Sequence, residues 1–208
     1  VAGYETIDEI NVATLWKNGE PIRLSDGTGN AEARSVYVAG DDVYVAGYMI
    51  FGSNPIAVVW KNGTAVPLST RSSNAGSVYV NGGLVYVAGE EFIKAYTASL
   101  WRDGTLAMLS DRYSSAKSVY ADGNNIYVGG TEYGVGGRIW KNGQVMPLSY
   151  PAGTGSSEIN SVRAAGSAVY AAGSAYITGK NNVAVYWKNG NPVMLTDGAV
   201  RAGAEAVY

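Results

Sequence analysis

Short apolar and aromatic runs, separated by turns rich in glycine, asparagine and aspartate, follow one another along the whole chain. No stretch keeps a 3.6-residue apolar period over ten residues, so strands rather than helices are predicted. The order of the runs also repeats. Ser35–Val38 leads through a turn at residues 39–42 into Val43–Tyr48. A variable stretch, Ile56–Trp60, the dipeptide Asn62-Gly63 and Ala65–Ser69 follow. The first two runs are apolar at alternating and intervening positions alike, the pattern of strands covered on both faces. Asn-Gly supplies the two positive-φ residues that a two-residue type I′ hairpin requires.

One phrase fixes the period. Trp-Lys-Asn-Gly, once varied to Trp-Arg-Asp-Gly, begins at Trp16, Trp60, Trp101, Trp140 and Trp187, with spacings of 44, 41, 39 and 47. Four strands per 40–45 residues is the spacing of a β-propeller blade. Pro21, Pro67, Pro147 and Pro192 fall in the fourth run of their units, and proline lacks the N–H that an inner strand needs, so the fourth strand is outermost. The first strand, innermost, is expected at Ser35–Val38, Ser77–Val80, Ser118–Ala121, Ser161–Ala164 and Glu205–Tyr208. The second is expected at Val43–Tyr48, Val85–Glu90, Ile126–Thr131 and Val169–Ser174.

The sequence thus predicts an all-β, five-bladed propeller in a single domain over residues 1–208. Blade one is residues 202–208 plus 1–25, and the others are 33–69, 75–110, 116–149 and 159–196. An open β-solenoid is the rival, and it requires polar caps. Val1–Tyr4 matches Val45–Tyr48, and Ala204–Tyr208 matches Ala33–Tyr37. The two ends are therefore expected to share a blade, with the C-terminal strand innermost and only the equivalents of residues 38–44 lacking. That pairing closes the ring and removes a sheet edge.

Composition narrows the chemistry. His and Cys are both absent, which excludes thiol nucleophiles, disulfides and His-based triads and removes the usual zinc and copper ligands. Lys and Arg number 15 against 17 Asp and Glu, so no nucleic-acid footprint is expected. No apolar run reaches the length of about 20 residues that a membrane helix needs. Tyr (16) and Trp (5) far outnumber Phe (2). The five repeat tryptophans are expected to be structural.

The unit S-V-Y-V-x-G-x-D-V-Y-V-A-G-Y … W-K-N-G resembles a repeat of uncharacterised bacterial secreted proteins and lipoproteins with a propeller-like look. The resemblance spans the whole chain. It implies a location in the periplasm, at the cell surface or outside the cell, and it implies no particular chemistry. The paired motifs of WD40 blades and the Asp-box of sialidases are missing.

Loop variation points to one face. The connections between second and third strands (Glu5–Asn11, Met49–Pro55, Glu91–Ala95, Glu132–Val135, Ala175–Asn181) vary. So do those between blades (Asp26–Glu32, Thr70–Asn74, Asp111–Ser115, Tyr150–Glu158, Asp197–Gly203), while the turns of the opposite face are uniform. Function concentrates in such loops. Arg34, Lys117, Asn160 and Glu205 enter the innermost strands, where the blades converge. With Tyr48, Glu91, Glu132, Tyr133 and Tyr176 they form the expected ligand-binding set. Aromatic faces beside acids and amides suit sugars. The expected function is therefore a non-enzymatic binding module for a glycan or a protein, without cofactor or metal. Two alternatives stand beside it: a glycosidase-like hydrolase using two of Glu5, Glu90, Glu91 and Glu132, and a purely structural docking scaffold. Asp26, Thr28, Asn30 and Glu32 alternate like calcium-loop oxygens, but a turn is the simpler expectation there.

Overall fold

A computed structural model describes all 208 residues. The chain forms five antiparallel sheets and no helix. The first is β1 (Ala2–Ile7), β2 (Ile10–Lys17) and β3 (Glu20–Arg23). The second is β4 (Ala31–Ala39), β5 (Asp42–Phe51), β6 (Asn54–Lys61) and β7 (Thr64–Pro67). The third is β8 (Ser73–Asn81), β9 (Leu84–Phe92), β10 (Tyr96–Arg102) and β11 (Thr105–Met108). The fourth is β12 (Ser114–Asp122), β13 (Asn125–Glu132), β14 (Gly136–Lys141) and β15 (Gln144–Val145). The fifth is β16 (Thr154–Ala165), β17 (Ala168–Ile177), β18 (Asn182–Lys188) and β19 (Asn191–Met194). Strands within each sheet follow chain order. The first strands of neighbouring sheets touch one another, β4 to β8, β8 to β12 and β12 to β16, so they line the axis. Fourth strands lie at the periphery, and Pro21, Pro67 and Pro192 are on them.

The tight turns are as the dipeptides require. Asn18, Asn62, Asp103, Asn142 and Asn189 all have positive φ, and each is followed by a positive-φ glycine. In four of the five, the turn's Asn or Asp Oδ1 also accepts the N–H that opens the second strand: Val43, Val85, Ile126 and Val169, at 2.8–2.9 Å.

The tryptophans close the seams between blades. Trp60, Trp101, Trp140 and Trp187 have no exposed surface, and each joins an apolar cluster built from its own blade and a neighbour. Trp16, in the three-stranded sheet, is half-buried. Hydroxyls lock the same seams. Ser35, Ser77 and Ser118 accept the backbone N–H of Val78, Val119 and Val162 in the next blade at 3.1–3.2 Å.

The inner strands carry the feature that shapes the axial end of the sheets. In β4, β8, β12 and β16 the register slips by one residue at a bulge, between Ala33 and Ser35, Ala75 and Ser77, Ala116 and Ser118, and Ile159 and Ser161. The extra residues are Arg34, Gly76, Lys117 and Asn160. Each bulge drives a carbonyl (of Glu32, Asn74, Ser115 or Glu158) against Gly47, Gly89, Gly130 or Gly173 on the second strand. A Cβ there would overlap that oxygen.

One expectation is corrected. The variable loops are shorter than the sequence suggested, because first and second strands stay paired beyond the bulge: Glu32 opposite Tyr48, Asn74 opposite Glu90, Glu158 opposite Ser174. Asn74, Glu91, Ser115, Glu132 and Glu158 are therefore strand residues. The pairing of the C-terminal segment with β1, expected to close the ring, is not formed among the five sheets. Residues 199–208 form no strand. They lie along the fifth blade through Ala204 N–H to Gly173 O (3.1 Å) and Val207 N–H to Ser161 Oγ (3.2 Å). Val1 and Tyr208 stay exposed. So does Val38, whereas its counterparts Val80, Ala121 and Ala164 are buried.

The bulge geometry predicts opposite outcomes for two glycines of one blade. Gly89→Ala should lower the unfolding free energy by about 3 kcal/mol, as forced overpacking does. Gly76→Ala, whose Cβ would make ordinary contacts with Ala116 O and Lys117, should leave it within about 0.5 kcal/mol. Urea denaturation of the two variants measures the difference.

Candidate ligand-binding mouth of the channel

A bulge re-aims a side chain that regular pairing would place on a sheet face. Here it sets Arg34, Lys117 and Asn160 beside residues 32, 74 and 158 and the second-strand residues opposite them, so polar groups from successive blades meet at one end of the axis. Arg34 Nη2 donates to Glu32 Oε2 at 3.3 Å, and its guanidinium lies over the Tyr48 ring at 4.8 Å. Asn74 Nδ2 donates to Glu90 Oε1 at 3.3 Å. Lys117 Nζ reaches into the next blade, to Glu158 Oε2 at 2.6 Å and Asn160 Oδ1 at 3.0 Å. Ser174 Oγ donates to Glu158 Oε1 at 3.1 Å, and Asn160 Nδ2 to Ala204 O at 3.2 Å.

Two carboxyls of this mouth are pushed in opposite directions. Burial raises that of Glu90, and the Asn74 amide, Arg34 and Lys117 only partly offset it. Burial also acts upward on Glu158, but the Lys117 ammonium outweighs it, with help from Ser174 and Arg201, and holds the carboxyl below its ordinary value. Burial likewise raises the Tyr48 hydroxyl, with Glu32 adding to the effect.

A cavity of about 440 Å³ opens between the fourth and fifth blades. Lys117, Glu158, Ser174 and Thr131 line it, and Tyr133 and Tyr176 stand at its edge. The Thr131 hydroxyl is buried there without a hydrogen-bond partner. Tyr133 is 53% exposed and stacks on Tyr113, centroids 4.1 Å apart and planes 12° from parallel. Tyr176 is 44% exposed. A second hollow of about 380 Å³ lies between Arg34, Asn74, Glu90 and Lys117.

The remaining sequence candidates lie elsewhere or are engaged. Glu91 is 3% exposed and pairs with Arg71 Nη1 at 3.4 Å. Glu132, 6% exposed, is held by Arg112 Nε at 3.3 Å and Arg138 Nε at 3.1 Å. These carboxylates brace the connection from the preceding blade. Glu205 is exposed on the C-terminal segment. Glu5 is half-buried on β1. Asp26 Oδ1 accepts the Thr28 N–H and hydroxyl at 3.0 and 2.8 Å, so the calcium-like run is a turn. No three His, Cys, Asp or Glu side chains gather as a metal site.

Sequence reasoning passed over Glu158, Ser115, Thr131 and Ser174 as site residues. Their signal was positional: Glu32, Asn74, Ser115 and Glu158 all sit three residues before the seam serine or its equivalent.

No protein-family model matches this sequence, and no curated protein does. Its fold is nonetheless that of solved β-propeller proteins. TolB from Acinetobacter baumannii superposes with a TM-score of 0.57 at 11% identity, over 94% of this chain and 52% of that one. The chain thus spans about half the length of that protein. A GH43 endo-arabinanase from Bacillus licheniformis gives 0.43 at 14% identity, over 79% of both chains. An exo-1,5-α-L-arabinanase from a bovine ruminal metagenomic library gives 0.45 at 12%, over 83% of this chain and 78% of that one. At 11% identity the likeness to TolB shows the fold alone.

Glu90 yields a stability prediction. A carboxyl raised in the folded state favours folding most below its unfolded pKa, and that advantage is lost as pH rises through the folded value. Glu90→Gln removes the partly buried charge, so at neutral pH it should raise stability by a solvent-screened amount below about 1 kcal/mol, with the gain vanishing near pH 4. Thermal unfolding across that pH range checks the sign.

Proposed function

We propose that the channel mouth binds a saccharide, held between the Lys117–Glu158 pair and the exposed rings of Tyr133 and Tyr176. The observation that carries this reading is the cavity between blades four and five. Its donors and acceptors are hydroxyls, an amide and a neutralised ion pair. Such a lining matches a polyhydroxylated, uncharged ligand better than an ion. Tyrosine rings at the rim cover the C–H faces of a sugar while their hydroxyls stay wet. The location that the repeat resemblance implies, at the cell surface or beyond it, is part of this reading.

The function is binding rather than turnover. Glu91 and Glu132 are tied to arginines and are not free to act on a glycosidic bond. Glu90 and Glu158 support the competing hydrolase reading, because carboxyls shifted in opposite directions are how an acid and a base are told apart.

Calorimetric titration with a panel of neutral oligosaccharides at millimolar concentration tests the proposal. Saturable binding that weakens at least fivefold in Tyr133→Ala and in Tyr176→Ala supports it. No heat from any sugar overturns it. Release of product from aryl glycosides, abolished by Glu90→Gln, would replace binding with hydrolysis.

Ring closure belongs to the same reading. Gly3 occupies the position of Gly47, Gly89, Gly130 and Gly173, yet no backbone carbonyl presses on it and only the Trp16 ring is near. β1 thus has the form of a strand that receives a bulged partner, and residues 203–207 repeat the bulged sequence. By the register of the second blade, Ala206 falls opposite Ala2. The chain has no cysteine, so Ala2→Cys with Ala206→Cys should oxidise to a monomeric crosslink. Intermolecular dimers alone would reject closure.

A further inference from the structure

Away from the mouth, the inner strands carry a second ring of side chains. One residue after each seam valine comes Tyr37, Tyr79, Tyr120, Arg163 and, on the C-terminal segment, Tyr208. The rings follow one another around the axis. Tyr37 and Tyr79 have centroids 4.6 Å apart, and Tyr79 and Tyr120 are 5.0 Å apart, both pairs tilted. The Arg163 guanidinium continues the arc, 4.9 Å from the Tyr120 centroid and 5.9 Å from that of Tyr208. All but Tyr208 are half-buried.

Each member also heads a row running outward across its sheet. Tyr37 faces Tyr44, Tyr79 faces Tyr86, Tyr120 faces Tyr127 and Arg163 faces Tyr170. Beyond them the cations of Lys61, Arg102, Lys141 and Lys188 lie over those second rings at 5.3, 5.9, 5.4 and 5.6 Å. The repeat therefore already supplies one cation per row at the periphery. Arg163 puts a second cation into one row, at its axial end, where three other blades have tyrosine.

That charge is not neutralised within the protein. Arg163 takes part in none of the ion pairs. Its neighbours in the arc are phenols. Burial, the adjoining Tyr37 hydroxyl and Tyr120 push Tyr79 up to about 12 against the pull of Arg163, so the Tyr79 hydroxyl remains an O–H donor at neutral pH. A half-dehydrated guanidinium beside phenolic donors is rich in hydrogens and short of acceptors. Its planar fork matches a two-oxygen anion.

We propose that the arc Tyr79–Tyr120–Arg163 is an oxyanion site, separate from the saccharide mouth. It takes a sulfate, phosphate or carboxylate group, with the guanidinium engaging two oxygens and the tyrosine hydroxyls donating to the rest. The shared chemistry is the oxyanion, whether free or carried at the end of a peptide.

Arg163→Tyr tests it, because that change restores the residue that Tyr37, Tyr79 and Tyr120 show the scaffold to accept. Sulfate, phosphate and acetate are titrated into each protein at constant ionic strength set with chloride, read by calorimetry and by tyrosine near-ultraviolet difference spectra. The expected result is saturable binding to the wild type, at least tenfold weaker in Arg163→Tyr and partly kept in Arg163→Lys, with an unchanged melting temperature in chloride. A short peptide with a free terminal carboxylate that displaces sulfate, where its amidated twin does not, identifies a peptide-borne group. Displacement by neither identifies a free ion. No saturable response to any of the anions, or equal binding by Arg163→Tyr, overturns the proposal. Saccharide binding should be unaffected by Arg163→Tyr, so this test fails or succeeds independently of the one at the mouth.

Discussion

The molecule is organised around a steric exclusion repeated in four blades: a backbone carbonyl of the innermost strand lies where the second strand would carry a Cβ. Glycine removes the conflict. The bulge can then form, and one residue per blade leaves the regular alternation. After the slip, the register brings a serine into the seam, where its hydroxyl accepts the next blade's amide. The same slip turns the extra side chain to the mouth. Scaffold and site are thus set by one distortion, and glycine contributes by what it lacks.

Around that distortion the forces divide by radius. Apolar burial dominates in the seams, where four tryptophans with no exposed surface fill the space between sheets. This burial carries a polar cost. Trp187 Nε1 donates to Ser149 O at 2.9 Å, while the indole N–H groups of Trp60, Trp101 and Trp140 are buried without partners. Nearer the mouth, charge takes over. Arg71 and Arg112 hold Glu91 and Glu132 from the preceding interblade connection. At the rim, ion pairs and amides remain partly open to solvent and to ligand.

Much of the fold could be read from the sequence because it rests on local chemistry. Asn-Gly dictates its own turn, proline marks the periphery, and five copies of one phrase set the period. The bulge was less visible. Ala33-Arg34-Ser35 breaks the strand's alternation, so its upstream half reads as a loop, and Glu158 and Asn74 read as loop residues with it. The buried acids misled for a related reason. Glu91 and Glu132 look like exposed loop carboxylates until the arginine twenty residues earlier is placed beside each. Arg71 to Glu91 and Arg112 to Glu132 share that spacing, which was the available clue. The Tyr–Arg163 arc needed the stacking of blades, since its members are some forty residues apart.

The bulge residue has a further implication for diversification. Positions 34, 76, 117 and 160 hold arginine, glycine, lysine and asparagine on nearly the same backbone. The surrounding framework therefore tolerates a cation, a neutral amide or no side chain at all in that place. Randomising those four sites together would give a family of molecules alike in architecture and different in what they select, a ready-made display surface.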